Sequence, residues 1–485
     1  MSYFHALAHQ YIDGEWLTGS GSWDIIDFNP YNGEKLGSIT VATALEVDRA
    51  YRAAERAQQR WAATNPYERR AVLERALRIT EERTDEIVEA IIDELGGTRI
   101  RAEYEVRGGR EFLSEAIRQA LRPTGRLLPS VTDGKENRLY RLPIGVIGVI
   151  SAFNFPFLVT MKSVAPALAL GNAVVVKPHQ NAPIVGGALI ARIFEDAGLP
   201  AGLLNVVVTD SAEIGDAFIA HPVPKVISFT GSDRTGRHVA ATAAGLFKRT
   251  ILELSGNSAL VVLDDADVEY AVQAAVFSRF LYQGQVSMAA NRILVDRRVA
   301  AEFTERFTAE VAALKAGDPR DPETRIGPVI NTFQADALAA LVEEAVAAGA
   351  TALVRGRTRG NVVEPTVLTG LADDSPLLTQ EIFGPVALLM TFDGEEEAVR
   401  MVNDSPYGLS GAVHTADAEH GVRFAQRIVS GMFHVNDSTV QDDPLVAFGG
   451  EKMSGAGRLN GEAVVEAFTT QKWMSIQHGR TVFPL

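Results

Sequence analysis

The segment from Phe280 to Arg292, FLYQGQVSMAANR, sets one aliphatic hydroxyl, Ser287, behind a Q-G-Q turn. A serine hydroxyl titrates far above neutral and attacks a carbonyl only with a base in direct contact. No G-x-S-x-G elbow surrounds Ser287, so the segment does not read as a Ser–His–Asp hydrolase. The chain has no cysteine, which removes thiolate chemistry and Cys-ligated zinc. Its 9 histidines show no H-E-x-x-H spacing, so no metal site is expected. A carboxylate base is on offer in Glu253, which closes an apolar run in ILELSGN between Leu252 and Leu254. Burial there raises its pKa, as a general base requires. Asn154 stands in an Asn-x-Pro turn within SAFNFPF. Lys162 brings an ammonium that either meets a ring hydroxyl or carboxylate or snorkels to solvent. In SFTGSDRTG a strand ending at Gly231, with Gly236 five positions on, delivers a helix N-terminus whose amides can face a pyrophosphate. Ser232 could add a hydroxyl contact. The spacing differs from the G-x-G-x-x-G fingerprint.

These groups need a frame. Residues 44–120 read as helices, with Ala, Leu and Ile at helical spacing among Arg and Glu, as in Tyr67 to Glu94. Between 121 and 143, Pro123, Gly125, Pro129 and Gly134 precede the alternating NRLYRLP, a hairpin projecting from the body. From Val146 short apolar strands (GVIGVIS, AVVVKP, LLNVVV, KVISF, TILEL) alternate with helices, which predicts a parallel sheet covered on both faces. A second α/β series carries SALVVL, RILVD and PTVLT, and Lys472 to Ile476 reads as a last strand.

A chain of 485 residues is too long for one core and divides into two or more domains. Its 46% hydrophobic and 22% charged content is that of an ordinary soluble enzyme. A net charge of −15 argues against nucleic-acid or anionic-membrane partners, which need a basic surface. No basic-then-apolar segment opens the chain. The most apolar stretch, Gly145 to Val159, is broken by Asn154 and Pro156 and is too short to span a bilayer. The expected location is the cytoplasm.

The 280–292 segment resembles the F-x-x-Q-G-Q-x-C-x-A-x-x-R signature of the aldehyde dehydrogenase superfamily, with Ser287 at the cysteine position. SAFNFPF (151–157), GNAVVVKP (171–178), SFTGSDRTG (228–236), ILELSGNSALVV (251–262), EIFGPV (381–386), NDSPYGLSGAV (403–413) and FGGEKMSGAGR (448–458) are similar to further family motifs in family order. The resemblance runs from about residue 10 to the C-terminus and implies that family's α/β fold. Residues 1–120 and 144–255 would form a Rossmann-like NAD(P)-binding domain and 256–450 an α/β catalytic domain. The 121–143 hairpin and the 451–485 tail would be a small β oligomerisation element pairing between subunits of a homodimer or homotetramer, since exposed strand edges demand cover.

The resemblance also implies roles. The residue at 287 attacks the aldehyde carbon, Asn154 with the 287 amide holds the oxyanion, and Glu253 activates water against the acyl-enzyme. Lys177 reaches the adenosine ribose. Gln180 stands where NAD-preferring members often carry a glutamate; uncharged, it need not repel a 2′-phosphate, so NADP is open beside NAD. Gly231, Ser232 and Gly236 form the pyrophosphate loop, and Glu381 and Phe383 hold and flank the nicotinamide half. Gly284 and Gln285 shape the nucleophile loop, while Arg292, Lys452 and Arg458 are structural. Phe155, Phe157, Tyr282, Val286, Met288 and Phe433 would make an apolar, partly aromatic substrate mouth. Lys162, where many members have Trp-Lys, resembles the branch acting on benzaldehyde, vanillin or salicylaldehyde. Aliphatic and semialdehyde substrates remain alternatives. Ser287 leaves two readings: a thiol exchanged for serine, which disables or greatly slows the enzyme, or a natural non-catalytic NAD(P)-binding protein.

Overall fold

The computed structural model describes residues 3–122 and 125–483. Pro123 and Thr124 of the expected 121–143 hairpin, and the last two residues of the tail, lie outside them. The helical stretch resolves into Ala44–Ala63, Pro66–Glu82, Thr84–Leu95 and Arg99–Gln119 (α1). Beyond it comes an eight-stranded sheet whose centre is Val146–Ile150 (β1), Ala173–Lys177 (β2), Val226–Thr230 (β3) and Arg249–Glu253 (β4). The order Leu204–Val206, β2, β1, β3, β4 is parallel throughout, and the antiparallel pairs are confined to the two edges. The three valines of β2 are fully buried, as expected of a strand covered on both faces. The chain enters the parallel part of this sheet at β1, moves outward through β2 and Leu204–Val206, and returns to the other side with β3 and β4. Strand order therefore reverses between β1 and β3, and a crevice at the carboxyl ends of such strands is where open α/β sheets take ligands.

Pro156–Ala169 (α2) follows β1, and Asp233–Ala244 (α3) joins β3 to β4. A second, seven-stranded sheet takes over from Ser258–Val262 (β5), which Val268–Phe280 (α4) follows; β5, Ala290–Asp296 (β6) and Val386–Phe392 (β7) are adjacent and parallel in it. Each sheet has its own apolar packing, the first around Val174–Val176 and Leu168, the second around Phe303, Phe307 and Ile293.

The hairpin forms from Arg126–Leu128 and Lys135–Pro143. The tail strand Thr469–Gln477 pairs antiparallel along Lys135–Pro143, so hairpin and tail join within one chain. Residues 451–456, expected with the tail, instead pair with Tyr407–Gly408 and with Leu252–Glu253 of β4. No helix among the described residues is long and apolar enough to cross a membrane.

Candidate active site

Four neighbouring strand ends of the first sheet deliver the candidate residues. Asn154 lies in the turn after β1, where Pro156 occupies the first helical position of α2. Lys177 is the last residue of β2, and Glu253 the last of β4. Gly231 follows β3, and the Ser232 hydroxyl caps α3 by accepting from the Thr235 amide at 3.3 Å. The second sheet contributes from its opposite ends. Ser287 comes shortly before β6, and Glu381 and Phe383 shortly before the neighbouring β7. The carboxyl ends of one sheet thus face the amino ends of the other.

Two cavities open between them, of about 830 Å³ and about 250 Å³, and Asn154, Thr230, Glu253 and Ser287 line both. Lys177, Gln180, Gly231, Ser232, Glu381 and Phe383 line the larger one. Gly236 does not; it lets α3 lie directly on Leu254, where any side chain would collide. Phe155, Lys162, Val286 and Met288 line the smaller cavity, together with Tyr104, Arg107 and Glu111 of α1.

Three expected mouth residues lie elsewhere. Phe157 is fully buried against Gly109 of α1. Two residues apart at a helix start, Phe155 and Phe157 cannot face the same way. Tyr282 is buried too, its phenol donating to the Leu95 carbonyl at 3.2 Å. Phe433 packs against Phe424 in the second sheet's core.

Lys162 is only 1% exposed and already engaged. Its ammonium lies 3.1 Å from Glu253 Oε1 and 2.9 Å from Asp442 Oδ2, 3.3 Å from the centroid of the Phe448 ring. It therefore neither snorkels to solvent nor stands free to meet a substrate substituent. Burial pushes the Glu253 carboxyl up; Lys162 pulls it down, and Asp442 pushes it up again. The Thr230 hydroxyl makes a long contact, 3.4 Å, with Glu253 Oε2.

At the other end Glu381 accepts from the Gly256 amide at 2.9 Å, and its carboxyl is pushed up to about 7, chiefly by burial. Burial lowers the Lys177 ammonium and pulls His179 beside it down to about 4, leaving that imidazole neutral near pH 7. Buried Arg279 donates to the carbonyls of Gly284, Ile382 and Gly384, tying the Ser287 segment to the Glu381 segment. Gly256 lets the chain beyond Glu253 lie on the Ser287 carbonyl, a place no β-carbon fits. Arg292 and Lys452 donate to backbone carbonyls, and Arg458 pairs with Glu451.

Sequence reasoning missed Thr230, Asp442, Phe448 and the α1 residues. Tyr104, Arg107 and Glu111 recur at i, i+3 and i+7, a one-face signal that was there to be read. Asp442 carried none, and Phe448, though it opens the 448–458 motif, gave no sign of Lys162, since only folding brings the three together.

The model of the aldehyde dehydrogenase family matches residues 16–474. The chain is 53% identical to a benzaldehyde dehydrogenase of Bacillus subtilis (strain 168), over 100% of each chain. Among solved structures, an NAD-dependent benzaldehyde dehydrogenase from Corynebacterium glutamicum superposes with a TM-score of 0.90 at 42% identity, covering 98% of this chain and 97% of that one. A salicylaldehyde dehydrogenase from Pseudomonas putida, complexed with salicylaldehyde, gives 0.95 at 34%, covering 98% and 99%.

Proposed function

The chain belongs to the aldehyde dehydrogenase family, and on that footing we propose that its site is built to oxidise an aromatic aldehyde to the carboxylic acid with NAD or NADP. The observation that carries this reading is the meeting of two cavities at Asn154, Glu253 and Ser287. The smaller, walled by Phe155, Leu158, Val286 and Phe448, suits a single ring, and two of the relatives above are named for benzaldehyde and one for salicylaldehyde.

The larger cavity fits a dinucleotide by its donor set. The amino end of α3 offers amides to a pyrophosphate, Lys177 a cation to the adenosine ribose, and Glu381 an acceptor to ribose hydroxyls. Gln180 on the rim, with His179 neutral, leaves both NAD and NADP admissible. When bound, the nicotinamide accepts the hydride. Asn154 and the 287 amide hold the substrate oxygen as it gains charge, each donor contributing about 3 kcal/mol. Glu253 takes the proton of the water that releases the acid. A glutamate at 253 favours water over coenzyme A as the acyl acceptor.

Position 287 is where a thiolate would attack. Ser287 has no relay base, so the chain as it stands binds cofactor and aldehyde but turns over very slowly or not at all. Residues 1–120 and 144–255 serve as the cofactor-binding unit and 256–450 as the catalytic unit, and the hairpin–tail sheet joins subunits into a dimer or tetramer. A second reading, a natural non-catalytic NAD(P)-binding protein, rests on the absence of any cysteine. NAD(P)H formation from benzaldehyde, compared between this chain and its Ser287→Cys variant, tests both. Formation by the cysteine variant alone supports the proposal. Formation by both makes Ser287 a working nucleophile, and formation by neither leaves the non-catalytic reading.

A further inference from the structure

Two turns set the separation of Asn154 from position 287, and both are in left-handed backbone. Phe155, next to Asn154, has φ 52 and ψ 46, while Tyr282 and Gln283, ahead of Ser287, have φ 50 and φ 54. Non-glycine residues stay in that region only where the surroundings over-determine them. One short stretch of chain, Leu95 to Glu105, holds both turns. The Arg101 guanidinium of α1 touches both rings, 4.5 Å from the Phe155 centroid and 4.0 Å from that of Tyr282. The rings themselves meet edge to face at 5.6 Å.

One helical turn on, Glu105 forms an ion pair with Arg101 at 2.6 Å, and both side chains are out of solvent. Its other oxygen accepts from the Phe157 amide at 2.7 Å and the Leu158 amide at 3.3 Å, gripping the first turn of α2. Tyr282 donates to the Leu95 carbonyl, and the Gln283 amide donates to the carbonyls of Gly96 and Pro328. Gly97 leaves room for the arginine, since a β-carbon there would meet Arg101 Cδ at 2.8 Å. Neither Arg101 nor Glu105 lines either cavity. A buried ion pair of this kind is a poor device for stability, because apolar replacements often do as well. A planar guanidinium can, however, keep contact with two rings while its edge meets a carboxylate, and its rigid shape fixes the three in one geometry, as a freely rotating ammonium does not.

We propose that the Arg101–Glu105 pair is a positioning device that registers the Asn154 turn against the segment carrying residue 287. It would thereby fix the oxyanion donor relative to the nucleophile position. The inference rests on the proposed roles of those two residues, but its structural half is testable without turnover.

Amide hydrogen exchange of the chain as it stands, beside its Arg101→Met and Glu105→Gln variants, gives the first readout. Both variants should speed exchange in the 155–158 and 282–287 segments together, while β2 and β5 keep their protection. Loosening of one segment alone, or of neither, overturns the proposal. Glu105→Gln keeps an acceptor for the α2 amides and is the variant to use should Arg101→Met fold poorly.

The second readout is kinetic, in the Ser287→Cys form. Arg101→Met and Arg101→Lys should each lower kcat at least tenfold while the dissociation constant for NAD changes less than twofold. In an Asn154→Ala background the same changes should cost much less, because they act through Asn154. Full additivity with Asn154→Ala, or an unchanged kcat, overturns the proposal. If the Ser287→Cys form oxidises no aldehyde, the functional reading has failed, and hydrogen exchange alone decides whether the pair registers the two turns.

Discussion

Glu253, Lys162 and Asp442 form a buried chain of alternating charge where the two cavities meet. As the proposed base, Glu253 must be a carboxylate to accept a proton, so activity should fall as pH drops through its raised pKa. Asp442 pushes that pKa up and Lys162 pulls it down. In the Ser287→Cys form, Asp442→Asn should therefore move the acid limb of the kcat/KM profile to lower pH, and Lys162→Met should move it higher. Profiles unshifted by both changes would remove the coupling. Glu381 gives a second pH dependence. Its acid form persists up to about pH 7, so a ribose contact that needs the carboxylate strengthens as pH rises past that point. NAD affinity measured at about pH 6 and about pH 8 should improve at the higher value, and Glu381→Gln should flatten the difference. At this scale the sequence identified Asn154, Glu253 and Ser287 because each sits in a local motif. Lys162 was legible as a charge but its role was not, for its partner Asp442 is 280 residues away.

The strands and helices explain why so much of the site could be read in advance. Parallel strands announce themselves as apolar runs, and in an open α/β sheet the residues just past their carboxyl ends line the crevice. β1, β2, β3 and β4 obey that rule, which is why Asn154, Lys177, Gly231 and Glu253 converge. The aromatic mouth was misjudged because adjacency along the chain was taken for adjacency in space. At the turn into α2, Phe155 faces the small cavity and Phe157 faces α1. The stretch after β4 must press closely on the backbone of residue 287, and Gly256 permits it. Gly256→Ala should push the Glu253 segment away, lowering kcat of the Ser287→Cys form by about a hundredfold with little change in NAD affinity. Steady-state rates with a parallel thermal melt check this; a normal kcat in a folded variant would mean that the approach is not needed.

The whole chain leaves one sheet unfinished. Thr469–Gln477, Lys135–Pro143 and Arg126–Leu128 make three strands with two outer edges, and Leu127, Leu128, Trp473 and Met474 are exposed on them. Edges of that kind are covered in stable proteins. Ending the chain before Thr469 removes the nine cross-strand pairs with the hairpin strand and should yield smaller or aggregating particles in sedimentation velocity. An unchanged soluble particle would rule the sheet out as a subunit contact. The hairpin was readable from alternation and turn residues and the tail as a strand, and the resemblance grouped the two in one element; that they pair along their length within one chain was not readable. The two cavities, finally, meet at one place but are lined by different segments elsewhere. Traffic through the protein can then run on two separate roads. With the aldehyde in the small cavity and the cofactor in the large one, as proposed, neither need wait for the other to clear its path. A plug lodged in the small chamber would close one road and leave the other open.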